Sequence, residues 1–185
     1  MRIISGEARG TKLFTLEGKN TRPTLDRVKE ALFSIIQNQV LEAKVLDLFS
    51  GSGALALESL SRGAKEVILC DNSKEAISII KKNINKAKCE NKTRVMMADY
   101  KVALNKLKEE KNVFDIIFLD PPYATDFDIK AINYIITENL LSENGIIIVE
   151  TDSEDKIKQI EQIKINILKI KKYGRVRLVF LNRKG

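Results

Sequence analysis

Apolar residues along the chain follow two patterns, and these patterns alternate. Short continuous runs, such as Ile-Ile-Ile-Val at 146–149, predict strands that are buried on both faces of a sheet. Longer segments repeat an apolar residue every three or four positions, as at Ile77, Ile80 and Ile84, and predict amphipathic helices. Strands that alternate with helices indicate an α/β fold, with a mainly parallel sheet and helices on both faces.

The alternation predicts the individual elements from residue 24 to residue 163. We expect strands at 44–49, 67–70, 94–97, 115–119 and 146–150. We expect helices after the caps Thr24 and Ser73, and at 54–62, 102–110, 129–138 and 155–163.

Both ends of the chain depart from this alternation. Residues 165–172 and 176–182 flank a Tyr-Gly-Arg turn and predict a C-terminal antiparallel hairpin, which completes a seven-stranded sheet. Residues 1–20 contain glycines between short strand-like segments and predict a small N-terminal β-hairpin arm. We interpret the chain as a single domain, 1–185, with the arm at 1–20 and the core at 21–185.

Four aspartates fall at the ends of predicted strands. Parallel sheets bind ligands beyond the carboxyl ends of their strands, so we expect these acids to line a binding site. They are Asp47, Asp71, Asp99 and Asp120.

The segment Phe-Ser-Gly-Ser-Gly at 49–53 separates the first of these strands from its helix. Its glycines permit a tight turn close to a ligand, and Asp71 stands twenty positions beyond Gly51, where an acid can bind ribose hydroxyls. A nicotinamide dinucleotide and S-adenosylmethionine both suit this pattern. Asp47 favours S-adenosylmethionine, because a carboxylate repels pyrophosphate but attracts an ammonium group. Asp99 either accepts a hydrogen bond from the adenine amino group or simply caps the next helix.

The tetrapeptide Asp120-Pro121-Pro122-Tyr123 follows the fourth strand of the core. Two prolines make a rigid turn and lack N–H groups, so their carbonyls only accept hydrogen bonds. A carboxylate and a neighbouring carbonyl can accept both hydrogens of an amine on an aromatic ring, while Tyr123 stacks on that ring. Acceptors aimed at charge that develops on the nitrogen stabilise the transition state of its methylation. We therefore predict that Asp120 and the Pro121 carbonyl orient an exocyclic amine.

Composition narrows the chemistry further. Histidine is absent and there are two cysteines, Cys70 and Cys89, so neither a metal site nor a disulfide is expected. The formal charge is +7, with basic residues concentrated in the arm and after Glu161, which suits either a solvated surface or a polyanion such as nucleic acid. The apolar runs are too short to cross a bilayer and the N-terminus lacks a secretory signal, so we expect a cytoplasmic protein.

Several segments together resemble one family of enzymes. The Asp-Pro-Pro-Tyr turn and the 49–53 loop resemble those of class I S-adenosylmethionine-dependent methyltransferases that act on exocyclic amines. Segments 2–10 (Arg-Ile-Ile-Ser-Gly-Glu-Ala-Arg-Gly) and 21–33, which begins Thr-Arg-Pro-Thr, resemble the RsmD-type methyltransferases, which methylate N2 of one guanine in 16S ribosomal RNA. This resemblance covers nearly the whole chain. It implies a Rossmann-like fold, S-adenosylmethionine as cofactor, and ribosomal RNA within a small-subunit assembly intermediate as partner.

Residue chemistry and resemblance together give the expected site. The expected catalytic residues are Asp120, Pro121, Pro122 and Tyr123. The expected cofactor-binding residues are Asp47, Phe49, Ser50, Gly51, Gly53, Asp71, Asn72, Asp99, Tyr100, Arg22 and Thr24. The expected RNA-binding residues are Arg9, Gly10, Lys12, Arg22 and Arg27. Nothing in the sequence suggests a dimer, so we expect a monomer.

Three alternatives remain at this point. An N6-adenine DNA methyltransferase uses the same turn, but it usually needs a separate target-recognition segment, for which this chain has no room. A nicotinamide-dependent oxidoreductase could use the same glycine loop, but it leaves the Asp-Pro-Pro-Tyr turn unexplained. A non-catalytic RNA-binding domain could retain the fold, although acids at all four strand ends argue against lost activity.

Overall fold

The computed structural model describes residues 1–16 and 23–185, with the backbone alone at 23–25. The helices described are α1 (Pro23–Ile35), α2 (Gln37–Val40), α3 (Ala54–Ser61), α4 (Lys74–Ala87), α5 (Tyr100–Glu109), α6 (Phe127–Thr137) and α7 (Glu154–Glu161). The strands described are β1 (Lys44–Asp47), β2 (Glu66–Asp71), β3 (Thr93–Met97), β4 (Phe114–Leu119), β5 (Leu141–Thr151), β6 (Ile165–Tyr173) and β7 (Val176–Arg183). Among the described helices, none has the length and apolarity that a membrane span requires.

The seven strands form one sheet in the order β3-β2-β1-β4-β5-β7-β6. The first five are parallel, and β7 runs antiparallel between β5 and β6. The order reverses between β1 and β4, and sheets of this type bind ligands at that point, beyond the carboxyl ends of the strands. The predicted mainly parallel sheet with a C-terminal antiparallel hairpin is confirmed.

Apolar layers cover both faces of the sheet. On one face α1, α3 and α4 pack against the strands, and the rings of Phe33 and Phe118 lie 6.0 Å apart between their centroids. On the other face α5, α6 and α7 contribute residues such as Leu104, Ile132 and Ile160. Because both faces are covered, the central strands are apolar at almost every position, which explains their continuous runs in the sequence.

Most predicted boundaries lie within two residues of those in the structure, and three differences concern a helix cap, an unpredicted helix and the start of a strand. Helix α1 begins at Pro23, so Thr24 is its second residue and the prediction that Thr24 caps it is wrong; proline suits the first helical position because its missing N–H would have no partner there. Helix α2 was not predicted, because four mainly polar residues show no apolar periodicity. Strand β5 begins at Leu141, before the apolar run, with a register irregularity opposite Phe114–Ile116.

The N-terminal arm reverses direction as predicted, but its described part has a single antiparallel bridge, between Arg2 and Lys12, in place of regular strands. The intervening turns donate hydrogen bonds to α3. The N–H groups of Ile4 and Ser5 donate to the Glu58 carboxylate at 2.8 and 3.1 Å. Backbone hydrogen bonds within the arm, such as that from the N–H of Ile3 to the carbonyl of Thr11 at 3.0 Å, are therefore supplemented by contacts with residues more than fifty positions away.

Candidate functional site

A cavity of about 700 Å³ opens where β1, β2, β4 and β5 end. Its volume is usual for a small-molecule site. The predicted residues that line it come from the glycine loop, the strand ends and the proline turn. They are Asp47, Phe49, Ser50, Gly51, Asp71, Asn72, Asp99, Tyr100, Asp120, Pro121, Pro122 and Tyr123. Arg22 and the side chain of Thr24, also predicted to bind cofactor, lie outside the described residues.

Glycines shape the loop between β1 and α3. Gly51 and Gly53 have φ values of 56° and 79°, a left-handed backbone that favours glycine. Gly51 lines the cavity, whereas a Cβ on Gly53 would lie 2.9 Å from Leu69 Cδ2 in the core. Gly53 is not among the described cavity residues, so it supports the loop by close packing rather than by facing a ligand.

Asp71 fixes this loop from the end of β2. Its Oδ2 accepts a hydrogen bond from the N–H of Gly51 at 2.9 Å, and its Oδ1 accepts one from the N–H of Ser73 at 2.9 Å. Ser73 in turn caps α4, as predicted, by accepting from the N–H of Ala76. A carboxylate has about four lone-pair sites, so Asp71 retains capacity for ribose hydroxyls after these two contacts.

Asp47 is a buried carboxylate in the cavity wall. It is 2% exposed, and burial, followed by the nearby charge of Asp71, raises its pKa to about 7. The N–H of Ala56 and the Ser50 hydroxyl oppose this rise. A positively charged group in the cavity would hold Asp47 in its ionised form, which is the property expected of a group that binds an ammonium ion.

Aromatic rings form another part of the wall. Tyr100 lies 5.5 Å from Phe49 and 4.9 Å from Phe127, measured between ring centroids. The Tyr100 hydroxyl is buried and has no hydrogen-bond partner among the described residues. Asp99 accepts from the N–H of Lys101 at 2.9 Å and so caps α5, the simpler of the two roles expected for it. Sequence reasoning missed Phe127, because it lies in a helix that follows the proline turn.

The Asp-Pro-Pro-Tyr turn lies directly after β4, at the cavity. The carbonyl of Pro122 accepts from both the N–H (3.2 Å) and the hydroxyl (2.7 Å) of Thr125, which closes the turn. Asp120 is half-buried and Pro121 is buried, both in the cavity wall. The Pro122 carbonyl is therefore engaged within the turn, and Asp120 and Pro121 lie where a group that enters the cavity can reach them.

Tyr123 and Glu150 form a pair at the rim of the cavity. Tyr123 is 48% exposed, and its hydroxyl donates to Glu150 Oε1 at 3.2 Å. Burial, with the charges of Glu150 and Asp120, raises the pKa of Tyr123, so this hydroxyl stays protonated and remains a donor. The ring is therefore held by its hydroxyl and keeps an accessible surface for stacking. Sequence reasoning did not select Glu150, although it directly follows an apolar run as the four aspartates do.

A buried ionic cluster lies beside the cavity and was also missed. The Glu58 carboxylate contacts Lys29 Nζ at 3.1 Å and Arg62 Nε at 2.8 Å, and Glu58 and Lys29 are 0% and 4% exposed. Lys29 also donates to the carbonyl of Arg2. Burial lowers the pKa of Lys29 although the charge of Glu58 opposes this. Lys29 lines the cavity, so the cluster connects the arm to the site.

The described residues predicted to bind RNA are exposed, and none of them lines the cavity. Arg9 and Gly10 belong to turns that pack beside Ser61, at the end of α3 far from the glycine loop. The length of α3 separates this end from the cavity by roughly 10 Å. The arm approaches the cavity through Met1, Thr15 and Leu16 instead.

Comparison with known proteins gives a consistent picture. Residues 1–182 match the family described as "Conserved hypothetical protein 95". The chain is 36% identical over 154 residues to the "Ribosomal RNA small subunit methyltransferase D" of Haemophilus influenzae, covering 83% of this chain and 80% of that protein. It is 39% identical over 155 residues to the "Putative rRNA methyltransferase YlbH" of Bacillus subtilis, covering 83% and 84%.

Solved structures agree with this assignment. The "Putative methyltransferase yhhF from Escherichia coli" superimposes with a TM-score of 0.86 at 31% identity, covering 100% of this chain and 98% of that one. A putative methylase from Haemophilus influenzae superimposes with a TM-score of 0.77 at 32% identity, covering 99% and 98%. The fold is thus the Rossmann-like fold of class I methyltransferases, and the chain belongs to the family described as "Conserved hypothetical protein 95", the RsmD-type family that its sequence resembles.

Proposed function

We propose that this protein transfers a methyl group from S-adenosylmethionine to the N2 amine of one guanine in 16S ribosomal RNA. The observation that carries the proposal is the placement of Asp120, Pro121 and Tyr123 in the wall of the same cavity as the glycine loop and Asp47. The names of the curated relatives support ribosomal RNA as the substrate. Guanine N2, the 16S molecule, an assembly intermediate as the substrate, the monomeric state and a cytoplasmic location are parts of this proposal.

The cavity suits S-adenosylmethionine. Buried Asp47 would bind the ammonium group of the methionine moiety, and Asp71 the ribose hydroxyls. The unpartnered hydroxyl of Tyr100 and the rings around it form a wall suited to the adenine. When bound, S-adenosylmethionine supplies an electrophilic methyl group attached to a sulfonium.

The residues of the turn make the amine reactive. The lone pair of an amine on an aromatic ring is delocalised into the ring, so the amine is a weak nucleophile. Asp120 and the Pro121 carbonyl would each accept one of its hydrogens, which aims the nitrogen and stabilises the positive charge that develops on it. Tyr123 would stack on the base, which must leave its helix to reach the cavity. Asp120 or water then takes the proton from the nitrogen.

The test uses purified protein, labelled S-adenosylmethionine and 16S ribosomal RNA transcribed in vitro, which carries no methyl groups. The RNA is offered both naked and assembled with small-subunit proteins, and the modified nucleoside is identified by mass spectrometry. N2-methylguanosine at one position is the expected product. N6-methyladenosine would show that the enzyme methylates adenine, and it would overturn the proposal, as would a lack of transfer to either substrate. Replacing the mapped guanosine with inosine, which lacks the N2 amine, should abolish transfer.

A further inference from the structure

The turn of the C-terminal hairpin lies at the edge of the sheet where the cavity opens. Strand β7 pairs with β5 so that Arg177 lies beside Thr151, the residue after Glu150 of the cavity rim. Strand β6 pairs with β7 so that Lys172 lies beside Arg177. The turn at 174–175 therefore projects past the end of β5, on the same edge of the sheet as the Asp-Pro-Pro-Tyr turn.

The position of this turn is fixed. Gly174 has a φ of 61°, as expected at the first position of a two-residue hairpin turn. The Arg177 guanidinium donates to the carbonyl of Asp152 at 2.9 Å and pairs with Glu154. Asp152 and Glu154 both follow β5. The hairpin is therefore held against the segment that leaves β5 at the edge of the sheet where the cavity opens.

The hairpin tip, defined here as Lys171–Arg175, carries uncompensated positive charge. Lys171, Lys172 and Arg175 are exposed, and none of them forms an ion pair with a described residue. The chain contains no acid after Glu161. These three cations therefore form a positive surface near the cavity rim, and this surface faces the molecule that carries the substrate group.

We propose that the hairpin tip binds phosphates of the RNA that flank the target nucleotide. This inference depends on the proposed function for the identity of the polyanion. A base that enters the cavity brings its neighbouring phosphates to the edge of the sheet where the cavity opens. The hairpin tip lies at the same edge. Cations that neutralise phosphates release counterions and supply much of the affinity for nucleic acid, whatever the base sequence.

The lysines of β6 could instead protect the edge of the sheet, but this role explains only some of the basic residues of the hairpin. Strand β6 is at the edge of the sheet, and lysines on edge strands discourage pairing with other molecules. That role explains Lys169 and Lys171 within β6. It does not explain Arg175, which lies in the turn beyond the paired residues.

The test compares two double variants of the same hairpin. Lys171→Glu/Arg175→Glu reverses two charges at the tip. Lys164→Glu/Lys184→Glu reverses two charges beside the opposite end of β6, roughly 25 Å away by strand length. Both change the net charge equally. Affinity for the unmodified 16S transcript is measured without methyl transfer, between 50 and 200 mM salt, and folding is checked through thermal stability and the affinity for S-adenosylmethionine.

The tip variant should bind RNA at least about tenfold more weakly, and its log-log salt dependence should become shallower by about 0.7 for each phosphate that the tip no longer neutralises. The Lys164/Lys184 control should stay within about twofold of the parent. Equal reductions in both variants would show a simple net-charge effect and overturn the proposal, as would a tip variant that binds like the parent. Because binding is measured separately, a parent that binds RNA but methylates nothing would refute the proposed function alone.

Discussion

The N-terminal arm and the C-terminal hairpin are both basic, but the core holds them in different ways. The hairpin continues the sheet through paired backbone along β5, β7 and β6. The arm is held largely by side chains from other parts of the chain: Glu58 and Ser61 of α3 bind its turns, and Asn83 of α4 binds its return segment. The hairpin tip lies at the edge of the sheet where the cavity opens, whereas the turns of the arm lie at the far end of α3.

This difference shows that charge alone does not locate a binding surface. In the sequence both regions are equally suited to a polyanion. The pairing register places Arg175 at the edge of the sheet where the cavity opens, and the hydrogen bond from the N–H of Ala8 to Ser61 holds the turn that contains Arg9 at the far end of α3. If the arm depends on a few buried polar side chains, removing them should cost far more than the corresponding changes at the hairpin.

The largest effect is expected for Glu58→Gln. The substitution leaves Lys29 buried without its counter-charge, and it replaces one of the two oxygens that accept N–H groups of the arm with an NH2 group that cannot accept. Breaking a buried ion pair on one side typically costs ~3–5 kcal/mol, so the free energy of unfolding, measured with urea, should fall by that amount. A reduction below about 1 kcal/mol would show that Glu58 does not anchor the arm.

Gly6→Ala should have the next largest effect. A Cβ at Gly6 would lie 1.6 Å from the Ser61 carbonyl oxygen, so the turn must move away from α3. We expect a destabilisation of about 2–4 kcal/mol, from overpacking together with left-handed strain. Gly10→Ala is the matched control, because Gly10 has nearly the same φ (86° against 85°) but open space around its Cβ. It should cost only about 1–2 kcal/mol. Equal costs would mean that the packing against Ser61 is unimportant.

Asn83→Asp tests whether the arm and the glycine loop are connected. Asn83 accepts from the N–H of Phe14 at 2.7 Å and donates to the carbonyls of Phe14 (3.0 Å) and Ser52 (2.9 Å). A carboxylate cannot donate, so stability should fall by about 2 kcal/mol, and affinity for S-adenosylmethionine, measured by calorimetry, should fall as the loop loosens. Asn85→Asp, which adds the same charge at an exposed position in the last turn of α4, should leave the affinity unchanged and lower stability by less than about 1 kcal/mol.

The smallest effect is expected at the hairpin. Glu154→Gln removes the partner of Arg177, but Glu154 is 72% exposed and the strand pairing remains. Exposed ion pairs contribute about 0–1 kcal/mol, so stability in urea should change by less than that. A larger effect would mean that the hairpin, like the arm, depends on individual polar side chains for its attachment to the core.

The sequence predicted those regions whose structure is determined by residues close to one another along the chain. The apolar runs gave the core strands, Ser73 was confirmed as a cap, and the hairpin strands were predicted to within one residue at either end. The spacing of Gly51 and Asp71 was informative because they meet through a hydrogen bond across the end of β2. Glu58 could not be found in this way, since it lies in an apolar helix, and Lys29 and the arm N–H groups that it binds are distant in sequence.

The most direct test of the central claim is the single-turnover rate of methyl transfer to the mapped guanine with saturating S-adenosylmethionine. Asp120→Ala should lower this rate by about 10²–10³-fold, the usual effect of removing one aimed hydrogen-bonding group, with unchanged affinity for the cofactor. Asp120→Asn, which keeps one acceptor oxygen, should lie between the alanine variant and the parent. An Asp120→Ala rate within about tenfold of the parent would contradict the assignment of Asp120 as the group that orients the amine.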